Sequence, residues 1–148
     1  MKVEFEISVD RLLLALTELG ARYEKATEKA TSHVLHQVQH QQRNMLSIGE
    51  HDEGTPTGSV PPMPPWRISG TLSRSVWVEE PKFSLGGWTG RVGPTAIYGR
   101  IQELGGWTGA GHRTHLPARP SLKPAWAIVR RTAMSTYAKY WALAQHPL

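Results

Sequence analysis

The chain has 148 residues and a mass of 16.5 kDa, with 39% hydrophobic, 8% aromatic and 20% charged residues. It fits a single domain, residues 1–148, because globular domains cluster near ~100–150 residues. The absence of Cys excludes disulfide scaffolds, Cys-based zinc sites and thiol catalysis, and no apolar run approaches the ~20 residues that span a bilayer, so no membrane partner is expected. The net charge of +5 is unevenly placed: −1 over residues 1–30, −2 over 31–80 and +8 over 81–148, where Glu103 is the only acid. The basic half reads either as a solvated face or as a surface that meets something acidic, a protein or a nucleic acid.

Residues 1–9 are expected to form an N-terminal strand or arm, since Val3, Phe5 and Ile7 alternate with Glu4 and Glu6. The stretch has no apolar h-region and does not read as a signal peptide. Asp10 is placed to cap a helix. Over residues 10–48 there is no Pro, and Gly20 is the only Gly. Leu12, Leu16, Leu19, Tyr23, Ala26, Ala30, Val34, Val38, Met45 and Ile48 recur at three- and four-residue steps, which predicts one long amphipathic helix stopped by Gly49. Unless it breaks at Gly20 or in the Gln-rich stretch, it reaches ~55 Å. A small domain cannot cover that length, so part of the stripe is expected to pack on a neighbouring subunit.

Residues 49–65 form a Pro/Gly loop. Pro61 to Pro65 favour polyproline II, as a groove ligand or, more simply, as a solvated hinge. Residues 66–148 form the α+β body. Ser69 to Ser75 reads as one helical turn. Val76 to Glu80 and Trp88 to Gly93 read as a hairpin, about 75–93, with Gly86-Gly87 in its turn. Pro94 stands where a short helix, about 95–104, can begin. Tyr98, Ile101 and Leu104 give that helix one apolar face, expected to lie on the hairpin, with Ile97 in the same period. A Gly-rich loop over 105–117 follows, then Pro120 to Pro124, then a last helix, about 125–144. Its stripe is Trp126, Val129, Ala133, Tyr137, Tyr140 and Trp141. The order is that of an α+β fold.

Little in the chain reads as catalytic chemistry. His33, His36 and His40 fall near one helix face and can in principle share a metal, but the run is Gln-rich and reads as solvated. His112 and His115 form a weaker loop cluster whose metal-hydrolase reading is the least favoured. No nucleophile elbow, phosphate loop or H-E-x-x-H occurs. Glu103 is alone in its half, so it is expected to cap a helix or to pair with Arg100 or Arg119 rather than act in a carboxylate pair. No enzyme activity and no cofactor are expected. Of the six Trp, Trp77, Trp126 and Trp141 suit core or helix faces, while Trp66, Trp88 and Trp107 border loops, where interface or packing roles are favoured over base stacking.

The motifs follow a recognisable order: Ser69-Gly70-Thr71-Leu72-Ser73-Arg74-Ser75, then Val92-Gly93-Pro94, then Tyr98-Gly99-Arg100-Ile101-Gln102-Glu103-Leu104-Gly105, then Ala118-Arg119-Pro120-Ser121-Leu122-Lys123-Pro124-Ala125. This order resembles the small neck or tail-completion (head–tail connector) proteins of long-tailed bacteriophages and prophages, over about residues 54–145. Three positions depart from the family pattern: Ser69 in the place of Thr, Gly99 in the place of Ala and Ser121 in the place of an aromatic residue. The resemblance implies a structural virion protein at the head–tail junction, assembled in the host cytoplasm. It would act as part of an oligomeric ring in tail completion and head–tail joining. Its partners would be copies of itself and the neighbouring neck and tail proteins (connector or stopper, tail terminator or tail tube), with DNA in the channel as a further contact. On this reading Leu16, Tyr23, Trp66, Trp107, Arg113, Arg119, Arg130 and Arg131 are candidate interface residues. Gly70, Leu72, Ser75, Tyr98, Glu103, Gly105, Pro120 and Pro124 are the motif residues that maintain the fold. The alternative from another class is a basic DNA-binding protein, whose affinity would fall steeply with salt.

Overall fold

A computed structural model describes residues 9–55 and 58–145. The expected N-terminal strand or arm therefore lies outside the described residues, apart from Val9, which already belongs to the first helix. The fold is α+β. Helix α1 (Val9–Met45) is followed by a loop, the single turn α2 (Thr71–Arg74) and a hairpin of β1 (Val76–Ser84) and β2 (Gly87–Pro94). Helix α3 (Gly99–Leu104), a ribbon of β3 (Gly106–Thr108) and β4 (Thr114–Leu116), and helix α4 (Leu122–Gln145) complete it. Each sheet is a two-stranded antiparallel pair.

α1 runs unbroken through Gly20 and the Gln-rich stretch. Asp10 sits inside its first turn rather than at the cap. α4 lies antiparallel on it, and a ladder of side-chain hydrogen bonds records the pairing. Gln42 Nε2 donates to Ser121 Oγ (3.0 Å), Thr31 and Tyr137 hydroxyls meet at 2.8 Å, Trp141 Nε1 donates to Thr27 Oγ1 (3.0 Å), and Gln145 Nε2 donates to Tyr23 Oη (2.7 Å). Between these bonds lie Ala26, Ala30, Val34 and Val38 of α1, with Ala125 and Val129 of α4, all buried. Small residues at uniform steps of four let the two helices approach closely. The buried row continues past Val38 to Gln42 and Leu46, and Ile48 is exposed. Met45 packs against this core as expected, whereas Ile48 lies beyond the end of α1 at Met45 and stays outside.

The hairpin docks on α1 through Val76 and Val78, both buried. It is longer than the sequence pattern predicts. A register shift between Glu79 and Lys82 accommodates the buried Pro81, which has no N–H to give the ladder, and pairing resumes from Lys82 to Ser84. Pro94 ends β2 opposite Val76 rather than starting a helix. α3 is accordingly shorter than expected and begins at Gly99. The expected apolar face of Tyr98, Ile101 and Leu104 does not lie on the hairpin: Ile97, Tyr98 and Leu104 are exposed. α3 is placed instead by Gly99, where an added Cβ would lie 2.7 Å from the Pro94 ring. Trp77 and Trp126 are exposed rather than core, and α4 turns Ala125 inward where Trp126 was expected. Val60 to Met63 makes a hydrogen-bonded turn (Met63 N to Val60 O, 2.9 Å), not a continuous polyproline stretch.

Ala30 is fully buried in the α1–α4 seam. Ala30→Leu is therefore expected to overpack it and to lower stability by about 1–3 kcal/mol, read from the urea midpoint.

Candidate interaction surfaces

Residues from three separate segments, Trp66, Gly70 and Leu72, then Tyr98, then Arg119, line one groove of about 690 Å³. Its walls are the chain on either side of α2, the start of α3 and the segment after β4. The loop before α2 is held in place from both ends. Arg67 N donates to Gly49 O (3.0 Å), His51 N donates to Arg67 O (3.1 Å), and the Arg67 guanidinium pairs with the Glu50 carboxylate. The Trp66 indole lies flat against backbone: an added Cβ at Gly49 or Gly58 would sit 2.6 or 2.3 Å from its ring. α2 begins at Gly70 (φ +73) and closes at Ser75, whose hydroxyl donates to Leu72 O (2.8 Å). Arg119 is occupied within the fold. Its Nη1 donates to the Ser59 carbonyl (2.8 Å) and to the Ser59 hydroxyl, and Ser59 is buried. The groove thus has an apolar floor of Leu46, Leu72 and Leu116, two aromatic walls, and His51, Glu53 and Arg67 among its polar lining residues. Such a surface can seat apolar side chains of a partner segment while its polar groups satisfy the segment's backbone.

Glu103 joins α3 to α4. Its Oε2 accepts from Ser121 N (2.7 Å) and Leu122 N (3.0 Å), and its Oε1 accepts from Lys123 N (2.9 Å). A carboxylate from α3 therefore caps the N-terminus of α4, satisfying free N–H groups and meeting the positive end of the helix dipole. Of the two roles expected for Glu103, the structure shows the cap. Ser121, standing where an aromatic residue was the family pattern, is buried as a polar link: its hydroxyl accepts from Gln42 Nε2 (3.0 Å). Gln42 and Ser59 carried no signal in the sequence, since an isolated Gln or Ser reads as surface. Gly105 (φ +68) ends α3, and an added Cβ would lie 2.7 Å from Ala118 N and 2.9 Å from Leu116 O. Only glycine fits that crossing. Pro120 precedes α4, and Pro124 stands in its first turn, where a missing N–H costs no helical bond.

The remaining candidate interface residues lie elsewhere. Trp107 pairs with His115 across the β3–β4 ribbon, the rings edge to face at 5.1 Å, and Trp107 is 60% exposed. Arg113 is exposed in the same ribbon, and Arg130 and Arg131 are exposed on α4. Leu16 is exposed near the start of α1, and Tyr23 is half-buried where α4 ends.

The three helix histidines face three different partners. His33 Nδ1 bonds Tyr140 Oη (3.0 Å), His36 Nε2 bonds Glu80 Oε1 (3.1 Å), and His40 Nε2 bonds Asn44 Nδ2 (3.0 Å). Among the described residues no three His, Asp or Glu side chains are grouped to hold a metal ion, and no helix is long and apolar enough to cross a membrane. Glu80 Oε2 also accepts from Ser32 Oγ (2.8 Å). The Ser32 hydroxyl, and after it His36, holds the Glu80 carboxyl below its ordinary value of 4.5.

Three outcomes are expected. Glu103→Ala leaves the first N–H groups of α4 without their acceptor and is expected to cost about 1–2 kcal/mol, measured by chemical denaturation, with Glu103→Gln losing less. Glu80, with a folded pKa below its unfolded one, contributes stability that is complete above the ordinary carboxylate pKa and is lost as pH falls through the lowered value. Ser32→Ala is expected to move the Glu80 carboxyl titration, followed by NMR, back up toward 4.5.

Comparison with family models, with curated proteins and with solved structures returned no match for this chain.

Proposed function

We propose that this chain is a structural virion protein of the phage neck or tail end. It acts in tail completion and head–tail joining as one copy of an oligomeric ring. The observation that carries the reading is the ordered motif set running from Ser69 to Ala125, which resembles that family and whose members Gly70, Leu72, Tyr98 and Arg119 line one groove together with Trp66. The motif residues divide the work. Glu103, Gly105 and Arg119 hold the fold through the α4 cap, the close chain crossing and the Ser59 clamp. Leu72 and Tyr98 line a concave surface beside Trp66. The function is then one of shape and charge complementarity, with no turnover. The groove and the exposed Trp107 ribbon face neighbouring neck or tail proteins, and the virion head–tail junction is the place of action.

A second reading, DNA binding, is favoured by the exposed Arg113, Arg130 and Arg131. Binding built on phosphate contacts weakens steeply as salt rises, whereas an interface built on Trp and Leu does not.

Electron microscopy of lysates from the phage with this gene deleted is the test. DNA-filled heads beside separate tails are expected, with joining restored by the wild-type gene. Normal infectious particles would overturn the neck reading and move salt-dependent DNA binding to the front.

A further inference from the structure

The β1–β2 hairpin runs antiparallel to α1 and carries its turn away from the groove. Val76 O accepts from Gln39 Nε2 (2.9 Å) and Arg43 Nη2 (2.7 Å), while Glu80, further along the strand, bonds Ser32 and His36. Val76 stands next to α2, which lines the groove. From there to Leu85 at the turn, β1 covers roughly 30 Å, at about 3.3 Å per residue. The turn is apolar and bare. Phe83 is 64% exposed and Leu85 fully exposed, and an added Cβ at Gly86 or Gly87 would meet nothing within 4 Å. No charged residue stands between Lys82 and Arg91. Trp88 packs edge to face on Phe83, the rings 5.6 Å apart, and stiffens the tip. Turns favour Gly, Asn, Asp and Ser for their backbone geometry, so turn formation gives no reason for Leu85.

We propose that this turn, Phe83 to Gly87, seats in the groove of a second copy of this chain. Each copy has an apolar concavity at one end of the hairpin and a bare apolar tip at the other. The length of the hairpin keeps them apart within one chain, so a contact between copies is what covers both. The fit is chemical as well as topological. The floor of Leu46, Leu72 and Leu116 and the exposed Ile68 receive Leu85 and Phe83. The turn brings no charge that would have to be stripped of water. Charge is complementary at the rim. Glu53 lines the groove and has no ion pair among the described residues. Lys82, just behind the tip, has a 77% exposed side chain and gives one of its three N–H groups to Glu79 (2.9 Å). Lys82 of one copy therefore faces Glu53 of the next.

A tip and a groove are different surfaces, so the contact is head-to-tail and repeats from copy to copy until it closes. It supplies the junction between neighbours in the proposed ring and rests on that oligomeric reading, leaving the Trp107 ribbon to other proteins. The turn is far smaller than the ~20 residues a side of a standard interface. Each junction alone is therefore weak, and a closed ring gains because a copy that loses one junction is still held by the other.

Sedimentation velocity of the full chain over a concentration series tests it. An oligomer larger than a dimer is expected, weakened at least tenfold by Leu85→Asp in the tip and by Ile68→Asp in the groove. Thermal unfolding is expected to stay unchanged, since Leu85 is fully exposed, Ile68 is 51% exposed and Asp suits a turn. Mixing the two variants separates head-to-tail from two-fold contact. The groove of the Leu85→Asp chain and the tip of the Ile68→Asp chain are intact, so the mixture is expected to form dimers and to stop there. Lys82→Glu and Glu53→Lys are each expected to weaken assembly, and the two together in one chain to restore it. Met134→Asp, on the exposed side of α4, leaves assembly in place. A wild-type chain that stays monomeric throughout overturns the proposal, as does a mixture of the two Asp variants that stays monomeric. An oligomer that survives Leu85→Asp also overturns it but leaves the ring reading standing, since the copies then join elsewhere. The neck reading itself is judged separately, by the particles of the deletion phage.

Discussion

The antiparallel contact between α1 and α4 is the constraint on which the other elements depend. It is built from alanines and valines, so the two backbones lie close, and its edges are fastened by hydroxyl, amide and indole hydrogen bonds rather than by large apolar side chains. Neither helix could hold its shape on propensity alone. Once paired, they offer a surface on which the hairpin lays Val76 and Val78. The hairpin in turn fixes Pro94, against which α3 starts.

The second organising interaction is electrostatic and closes this arrangement into a loop. α3 returns a carboxylate, Glu103, to the N-terminus of α4. In a half of the chain that carries +8, its single acid is spent on backbone N–H groups and not on any of the nine cations around it. The reason is geometric: a helix N-terminus presents several converging donors at once, already fixed in place, while an exposed Arg or Lys loses side-chain freedom to form one screened pair. Beside that cap, Ser121 and Gln42 form a buried polar link between α4 and α1. The groove lined by Trp66, Leu72 and Tyr98 has its own fastening, in the Arg67 bonds to Gly49 and Glu50 and the Arg119 clamp on Ser59.

The long first helix has two parts with different physics. Its C-terminal two thirds are a core element. Its N-terminal third has the same apolar rhythm and no partner within the described chain. Among the described residues the apolar rhythm of α1 outruns the helix that covers it.

Much of this was legible in the residues. The α+β class, the unbroken period over residues 10–48, the hairpin near 75–93 and the last helix follow from periodicity and from where Gly and Pro stand, because these are local properties. The length of α1 against the size of the body already required an uncovered stretch. What periodicity could not assign was decided by tertiary contacts. Gln42 and Ser121 are buried because they satisfy each other, and Glu103 caps a helix 18 residues away from it in sequence. Arg119, which reads as an interface cation, is turned inward by the Ser59 carbonyl. Trp77 is left outside because it alternates with the buried Val76 and Val78 along β1, and Trp126 because its neighbour Ala125 takes the inward position on α4. The sequence by itself determined the two long helices and the first hairpin, while the β3–β4 ribbon formed in a stretch that reads as loop. Only the tertiary structure decided which polar groups are interior, since a polar side chain enters a core only when a partner distant in the chain arrives to bond it.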